Sequence, residues 1–307
     1  MGFFSRKYET SGVGISKDEV KKKGLALFFD ILGRKFWNLM QLNLIFMIFF
    51  IPPILILPIG GLLNKNFTLS FIAACALALI FMITIGPALA GMTKVIRCFV
   101  LGKHTFVWAD FWRGFKSNFK LASIVGFIDC IALLSAFSAL TVYPQLAVKL
   151  GTKAVYIPMV ITLSLFIVII MMNFYIIPMM TATTLGFKNL VKNSFALAFI
   201  ALKQNFITFI IILATGVGLY FLMHYLLSVF LLIIPFFPAA ILCLVSCFNS
   251  YPVIQKYVIN PYYTSIGKVN PELLDGSEDD EERIFEDMGG KEKPIENSKK
   301  TKGKRIS

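Results

Sequence analysis

Asp129 is the carboxylate that the sequence places inside an apolar run, IVGFIDCIALL. A charge in hydrocarbon is unfavourable, and such residues usually face a protein interior or water. Asp129 is therefore the first candidate functional residue, able to bind a cation, carry a proton or hydrogen-bond across helices. The structural alternative is a polar contact between two helices, with the carboxyl group protonated. At 1.5 Å per residue, straight helices would place Asp129 and His224 at depths that differ by about 12 Å, so we expect no proton relay between them.

Other catalytic patterns are absent from the sequence. No GxSxG, HExxH, Walker or GxGxxG motif occurs. Cys243 and Cys247 are four residues apart, but two thiols alone make a poor metal site. We interpret these two cysteines, together with Cys75, Cys98 and Cys130, as small hydrophobic residues. The sequence therefore predicts no enzyme, no cofactor and no metal.

The composition is that of an integral membrane protein. Of 307 residues, 57% are hydrophobic and 15% are charged, whereas a soluble domain has about a quarter charged residues. The charges lie at the two ends and in a few connectors. The net charge of +13 does not indicate a nucleic-acid partner, because no long polar segment presents a basic face.

Six apolar runs are long enough to cross a bilayer, which needs about 20 residues. We therefore predict an all-α polytopic fold. The predicted spans cover residues 39–58, 69–91, 121–143, 155–180, 206–231 and 236–257. The region 206–257 is apolar throughout, and we place its turn at Ile233 to Pro238 because proline ends helices.

The basic residues predict the orientation of these spans. Lys65, Lys149 and Lys153 occupy alternate connectors, and the rest of the 30 Lys and Arg residues lie in the other connectors and at the two ends. Basic residues accumulate on the cytoplasmic side of membrane proteins. Both termini are therefore predicted to be cytoplasmic.

Aromatic and basic residues alternate just before the third span. A helix from Thr105 to Phe119 aligns five aromatic residues on one stripe, next to a stripe of basic residues, and this pattern is typical of a membrane–water interface. We predict that this helix lies flat on the cytoplasmic face, with its aromatic stripe against the cytoplasmic ends of the spans or against lipid. The aromatic stripe comprises Trp108, Phe111, Trp112, Phe115 and Phe119, and the basic stripe comprises Arg113, Lys116 and Lys120. A second amphipathic helix is predicted from Asp18 to Arg34.

The connectors indicate an internal repeat. The pattern apolar, Lys or Gln, any residue, Asn, apolar surrounds Asn43, Asn118 and Asn205 before the first, third and fifth spans. The even spans contain a proline followed by basic residues, at Pro87, Pro178 and Pro252. These features predict three units, each an interfacial helix and a two-span hairpin, with the three asparagines at one level. Alternatively, each feature arises independently at a cytoplasmic boundary.

The chain divides into three regions. Residues 1–36 form a basic segment, residues 37–258 a membrane domain and residues 259–307 a cytoplasmic tail. The tail has an acidic block, Glu272 to Asp287, and a basic block, Lys291 to Arg305. Because its apolar content is low, we predict a disordered tail. The alternative is a docking peptide.

The stretch from Thr84 to Lys120 resembles the signature of the YesL-like family of bacterial membrane proteins. In that family a TxGPAxAG-type helix end leads through a basic segment to an FWxxFKxNFK-type motif. The matching residues are Thr84, Gly86, Pro87, Ala88, Ala90, Gly91, Asp110, Phe111, Trp112, Phe115, Lys116, Asn118, Phe119 and Lys120. The resemblance covers residues 25–215, and the long tail departs from the shorter forms of the family.

The resemblance implies an accessory role in the plasma membrane, since members of the family, which has no established activity, occur beside sugar-binding ABC importers in Gram-positive bacteria. The expected partners are membrane lipid and an ABC transporter permease or another membrane protein. Two alternatives stay open: a small transporter or channel that uses Asp129, and an organiser of the membrane surface. The candidate functional residues are Asp129, Trp112, Arg113, Phe115, Lys116 and Asn118.

Overall fold

Every regular element in the described residues, which are 23–63, 66–270 and 272 in this computed structural model, is a helix. The α-helices are α1 (Leu25–Arg34), α2 (Phe36–Met47), α3 (Ile51–Leu62), α4 (Phe67–Val100), α5 (Val107–Ser117), α6 (Phe119–Leu150), α7 (Tyr156–Ala182), α8 (Phe187–Ile200), α9 (Leu202–Tyr225), α10 (Leu227–Ile233), α11 (Pro238–Ile254) and α12 (Asn260–Ser265). A short 3-10 turn joins α2 to α3, and a π-turn joins α11 to α12.

Six helical stretches of the described chain are long and apolar enough to cross a membrane, which confirms the predicted all-α fold with six spans. They cover Phe36–Leu62, Phe67–Val100, Phe119–Leu150, Lys153–Ala182, Leu202–Tyr225 and Pro238–Ser265. Several extend beyond the predicted ranges, because polar residues that follow an apolar run continue the same helix. Lys94 and Arg97, for example, lie within α4.

The chain between α9 and α11 differs from the predicted single helix over 206–231. The helix α9 ends at Tyr225, and Leu226 leaves the helical conformation with φ −134° and ψ 58°. The short helix α10 then contacts α9, and its last residue, Ile233, lines a small cavity together with Leu219 of α9. The helix α10 therefore folds back along α9 before the predicted turn, and α11 begins at the level of Leu219 instead of beside the end of α9.

The core is built from the second helix of each predicted hairpin. Helices α4, α7 and α11 contact one another in all three pairings. Helix α2 contacts α11 and α4, helix α6 contacts α4 and α7, and helix α9 contacts α7 and α11. Each outer helix thus lies between two core helices. The α4–α6 crossing is close, because a Cβ atom at Gly86 would overlap the carbonyl oxygen of Ala122.

Single residues join the short helices α1, α5 and α8 to the spans that follow them, so a short helix precedes the first, third and fifth spans as predicted. The joints are Lys35, Asn118 and Ala201, with φ values of −104°, −108° and −107°. Each joint donates its backbone N–H four residues back and accepts from the residue four positions ahead. The residues four positions before and after each joint are buried: Ile31, Gly114 and Leu197 before, and Leu39, Ala122 and Asn205 after.

The three asparagines of the sequence pattern are not equivalent in this arrangement. Asn118 is itself a joint, whereas Asn43 lies eight residues after Lys35 and Asn205 lies four residues after Ala201. The predicted common level of the three asparagines is therefore wrong along the helices. The physical reason is that the backbone geometry and the buried positions recur at the joints. The residue types around each asparagine, in contrast, do not lie at a constant distance from a joint.

The beginning of the predicted disordered tail is helical. Residues 255–259 form the π-turn and Asn260–Ser265 form α12. Asn270 donates from Nδ2 to Oδ1 of Asn260 over 2.9 Å, which holds the segment after α12 against its start. The rest of the predicted tail, apart from Glu272, lies outside the described residues, as do residues 1–22.

Candidate functional site

A cavity of about 270 Å³ lies between the three core helices. Its lining includes Thr93 of α4, Asn173 of α7 and Cys243 and Cys247 of α11. Phe46 of α2 and Ile212 of α9 complete the wall, which is mainly apolar. Each of the three core helices contributes polar or small side chains to this wall.

Asp129 lies next to this cavity without lining it. Its Oδ1 accepts a hydrogen bond of 2.6 Å from Nδ2 of Asn173, which joins α6 to α7. The Oδ1 atom of Asn173 is buried and has no hydrogen-bond partner in the described part of the chain. The carboxylate that the sequence singles out is therefore held by a polar neighbour on the next helix, and that neighbour faces the cavity.

His224 lies near the end of α9. The side chain is exposed, and its ring stacks on Tyr220 and packs edge-on against Tyr225.

Two further pairs of polar side chains join helices inside the bundle. Tyr175 donates its hydroxyl hydrogen to Oδ1 of Asn205 over 2.5 Å, and Nδ2 of Asn205 donates to the carbonyl of Ala198. Asn249 donates to the Thr208 hydroxyl over 2.9 Å. These bonds fasten α7 and α8 to α9, and α9 to α11.

Asn43 has a role that the sequence did not reveal. Its Nδ2 atom donates to the carbonyl oxygens of Ile234 and Pro235, and its Oδ1 atom accepts from the backbone N–H of Ala240. These groups belong to the turn before α11 and to the first turn of that helix, where the helix cannot satisfy them. The partner is nearly 200 residues away, and no local pattern around Asn43 signals it.

The aromatic stripe of α5 is divided between the core and the surface. Phe111 is fully buried, and Phe49 from the α2–α3 turn stacks on Phe115 with ring centroids 5.2 Å apart. Trp112 contacts the same Phe49 ring, whereas Trp108 is 56% exposed. The helix covers Val107–Ser117, slightly less than the predicted range. Part of the stripe therefore holds α5 to the bundle, and part faces outward.

The polar candidates on α5 do not converge on Asp129. Arg113 is exposed and forms a salt bridge of 3.2 Å with Asp110, and Lys116 is also exposed. Asn118 donates from Nδ2 to the carbonyl of Gly114 over 3.1 Å and so closes the end of α5. Asp129 lies eleven residues further along α6, about 16 Å at 1.5 Å per residue. The candidate residues derived from the sequence therefore lie in two separate regions and do not form a common site.

No group of three or more His, Cys, Asp or Glu side chains in the described ranges could hold a metal ion. Cys243 Sγ lies 3.4 Å from the Thr93 hydroxyl, a contact between α11 and α4. In this position the thiol acts as a small packing residue with one polar neighbour.

Comparison with known proteins gives a partial family match. Residues 39–138 match the model of a family described as "Protein of unknown function, DUF624". No curated protein and no solved structure matches the chain. The matched region runs from α2 into the middle of α6 and includes the α4–α5 segment described above, so in this region the chain is similar to that family, whose function is unknown.

Proposed function

We propose that this chain is a non-catalytic accessory subunit of a larger assembly in the bacterial plasma membrane, with both termini in the cytoplasm. The observation that carries the proposal is the contact between Asp129 and Asn173. The carboxylate that offered a chemical role is engaged in joining two helices. The pairs Tyr175–Asn205 and Thr208–Asn249 serve the same purpose, so the interior has the character of a scaffold.

The exposed part of α5 is the contact surface that we propose for a partner. Phe106 and Trp108 are 71% and 56% exposed, and the basic residues Arg113 and Lys116 lie on the same short segment. Aromatic residues and arginine are enriched at protein interfaces. Because the chain resembles the YesL-like family, we propose that this partner is the permease of a carbohydrate ABC importer.

Affinity purification in mild detergent tests this proposal. The tagged full chain is isolated from cells grown on several sugars, alongside a Phe106→Ala and Trp108→Ala double variant. A Phe71→Ala variant is the matched control, because Phe71 is also an exposed aromatic residue but lies on α4 near its start. We expect a permease to co-purify with the wild-type chain and the control, and to be lost from the double variant. Recovery of the wild-type chain alone under every growth condition would contradict the proposal.

A small transporter or channel is the second candidate, and the cavity lined by Asn173 favours it. In that case Asp129 acts on the translocated species through its hydrogen bond to Asn173 on α7. Reconstituted vesicles would then lose flux of a cation-coupled substrate on Asp129→Asn exchange. Flux and growth that are unchanged in this variant would remove the transporter hypothesis.

An organiser of the membrane surface is the third candidate. The exposed apolar residues Leu25, Phe29 and Phe195 lie on the short helices α1 and α8, where they could enter a lipid surface beside basic residues. Binding to vesicles that rises with anionic lipid content is expected in this case. Binding that does not depend on the fraction of anionic lipid in the vesicles would exclude this function.

A further inference from the structure

Arg97 is a half-buried cation, and two of its three guanidinium nitrogens are buried without a polar partner in the described part of the chain. Its Nε and Nη1 atoms are buried and have no hydrogen-bond partner in the described residues. The guanidinium carbon lies 5.9 Å from the ring centre of Tyr251 on α11, which places the charge over an aromatic face. An aromatic face attracts the cation but accepts no full hydrogen bond from these donors.

Arg97 makes no ion pair with a carboxylate in the described part of the chain. Asp30 pairs with Arg34, and Asp110 pairs with Arg113. Asp110 also acts electrostatically on Lys94 and Cys98, which neighbour Arg97 on α4, but Lys94 adds a second positive charge three residues before Arg97. The end of α4 therefore concentrates positive charge.

Burying a cation is unfavourable unless hydrogen bonds and an opposite charge accompany it. A buried charge is penalised by the loss of its hydration, and each unmade hydrogen bond adds to that penalty. A side chain that only marked the cytoplasmic end of the helix could extend into water instead. The position of Arg97 thus calls for an anion that is not part of the described chain.

Arg97 also lies next to the central cavity. Thr93 and Cys247 line that cavity, and Arg97 and Tyr251 each follow one of them by a single helical turn. The cavity wall is mainly apolar, and the arginine lies beyond its end toward the basic connectors. An apolar space with an unpaired guanidinium beside it matches a ligand that carries an anionic group.

We propose that Arg97 binds the phosphate group of a ligand at the end of the central cavity. Guanidinium groups are the side chains best suited to phosphate, since they offer several N–H donors with a permanent charge. The phosphate can belong to a membrane lipid or to a soluble molecule, and the chemistry at Arg97 is the same. This site is independent of the accessory role and would exist whether or not a permease binds.

Ligand-dependent unfolding of the purified full chain tests the proposal. The chain is delipidated in a maltoside detergent and its thermal unfolding midpoint is measured with inorganic phosphate, with phosphatidylglycerol, and with diacylglycerol as a phosphate-free match to the lipid. A rise of the midpoint with phosphatidylglycerol alone identifies a lipid source, and a rise with inorganic phosphate identifies a soluble one. Diacylglycerol should have no effect.

Substitution of Arg97 gives the second readout. Arg97→Gln should weaken phosphate binding about 10- to 100-fold, the loss expected for hydrogen bonds to a charged group. Arg34→Gln is the matched control, because Arg34 is exposed and paired with Asp30 on α1, and it should bind phosphate like the wild type. Arg97→Met should not respond to phosphate, although it removes the unpaired charge and so should unfold no earlier than the ligand-free wild type.

Two results would overturn the proposal. One is a wild-type midpoint that responds to neither inorganic phosphate nor phosphatidylglycerol, which would mean that water satisfies the guanidinium. The other is an equal response in the wild type, Arg97→Gln and Arg97→Met, which would place phosphate binding elsewhere on the chain. Neither result would bear on the co-purification that tests the accessory role.

Discussion

The side chain of Asn43 accepts a hydrogen bond of 3.0 Å from the backbone N–H of Ala240, 197 residues further along the chain. The same side chain donates to two carbonyl groups of the preceding turn. The side-chain amide of Asn43 therefore satisfies backbone groups in the turn between α10 and α11, where the last hairpin reverses direction. It joins the first span to the start of the last one and closes the ring of helices.

Asn43→Ala should destabilise the protein strongly. Each buried backbone group left without a partner costs about 1–3 kcal/mol, and the substitution leaves three such groups. Asn66→Ala is the control, because Asn66 is exposed and makes no side-chain cap at the start of α4. Thermal unfolding in detergent should show an early transition for the first variant alone, and equal midpoints would contradict the assigned role of Asn43.

Gly86→Ala should disrupt the α4–α6 crossing. The added methyl group would overlap the backbone of Ala122, and inserting a carbon atom into a packed interior costs about 1–3 kcal/mol or more. Gly216→Ala in α9 is the matched control, since a Cβ atom there meets nothing within 4 Å. The control should gain up to about 1 kcal/mol from the lower backbone entropy of alanine. The yield of folded protein in membranes distinguishes the two, and a normal yield for Gly86→Ala would show that these helices are further apart.

The bond between Asp129 and Asn173 should appear as a coupling energy. Asp129→Leu and Asn173→Leu should each destabilise the fold, and the double variant should cost about 1 kcal/mol less than the sum. Asp129→Asn should change stability little, because its amide oxygen can still accept from Asn173. The measurement is a double-mutant cycle built from the unfolding midpoints of the wild type, the two single Leu variants and the double variant. Strictly additive changes in stability would show that the two side chains do not interact.

The double variant Trp112→Glu and Phe115→Glu should fold poorly. Both rings contact Phe49, and each buried aromatic side chain contributes about 1.5–3 kcal/mol. Arg113→Gln should hardly matter, because an exposed ion pair contributes about 0–1 kcal/mol. The measurement is the amount of monodisperse protein after extraction from membranes. An unchanged amount of the double variant would mean that the stripe is a free docking surface.

The predicted topology can be tested with reporter fusions. A reporter placed after Ser307 should read cytoplasmic, and one inserted at Gly151, between α6 and α7, should read on the opposite side. Both fusions retain the basic connectors that set the orientation. A periplasmic signal from the fusion after Ser307 would reverse the assignment.

Hydropathy and amphipathic spacing were sufficient to predict the six spans and the short helix α5, because both signals are local to a segment. The break at Leu226 was not predictable in this way. The surrounding sequence is apolar and lacks proline, so nothing local distinguishes a continuing helix from one that folds back. The fold-back depends on packing of α10 against α9 and on Asn43, which lies on a different span.

The candidate site was predictable only in part for the same reason. Asp129 was identifiable because a carboxylate in an apolar run is rare, whereas its partner Asn173 looked like an ordinary polar residue of a span. Arg97 was not identified from the sequence, because a basic residue that follows an apolar run is interpreted first as a marker of membrane orientation. Only the positions of α4 and α11 show that Nε and Nη1 of Arg97 are buried without a hydrogen-bond partner among the described residues.

The early start of α11 has an electrostatic consequence for the central cavity. The helix begins level with Leu219, about 9 Å before the end of α9, and its first turns carry Cys243 into the cavity wall. The aligned peptide dipoles of a helix place about half a positive elementary charge at its amino end. This end lies beside the cavity, because Ala239 in the first turn of α11 lines the cavity wall within the apolar layer, where a field is screened far less than in water. A cation that entered the cavity would be repelled there, whereas an anionic group would be held.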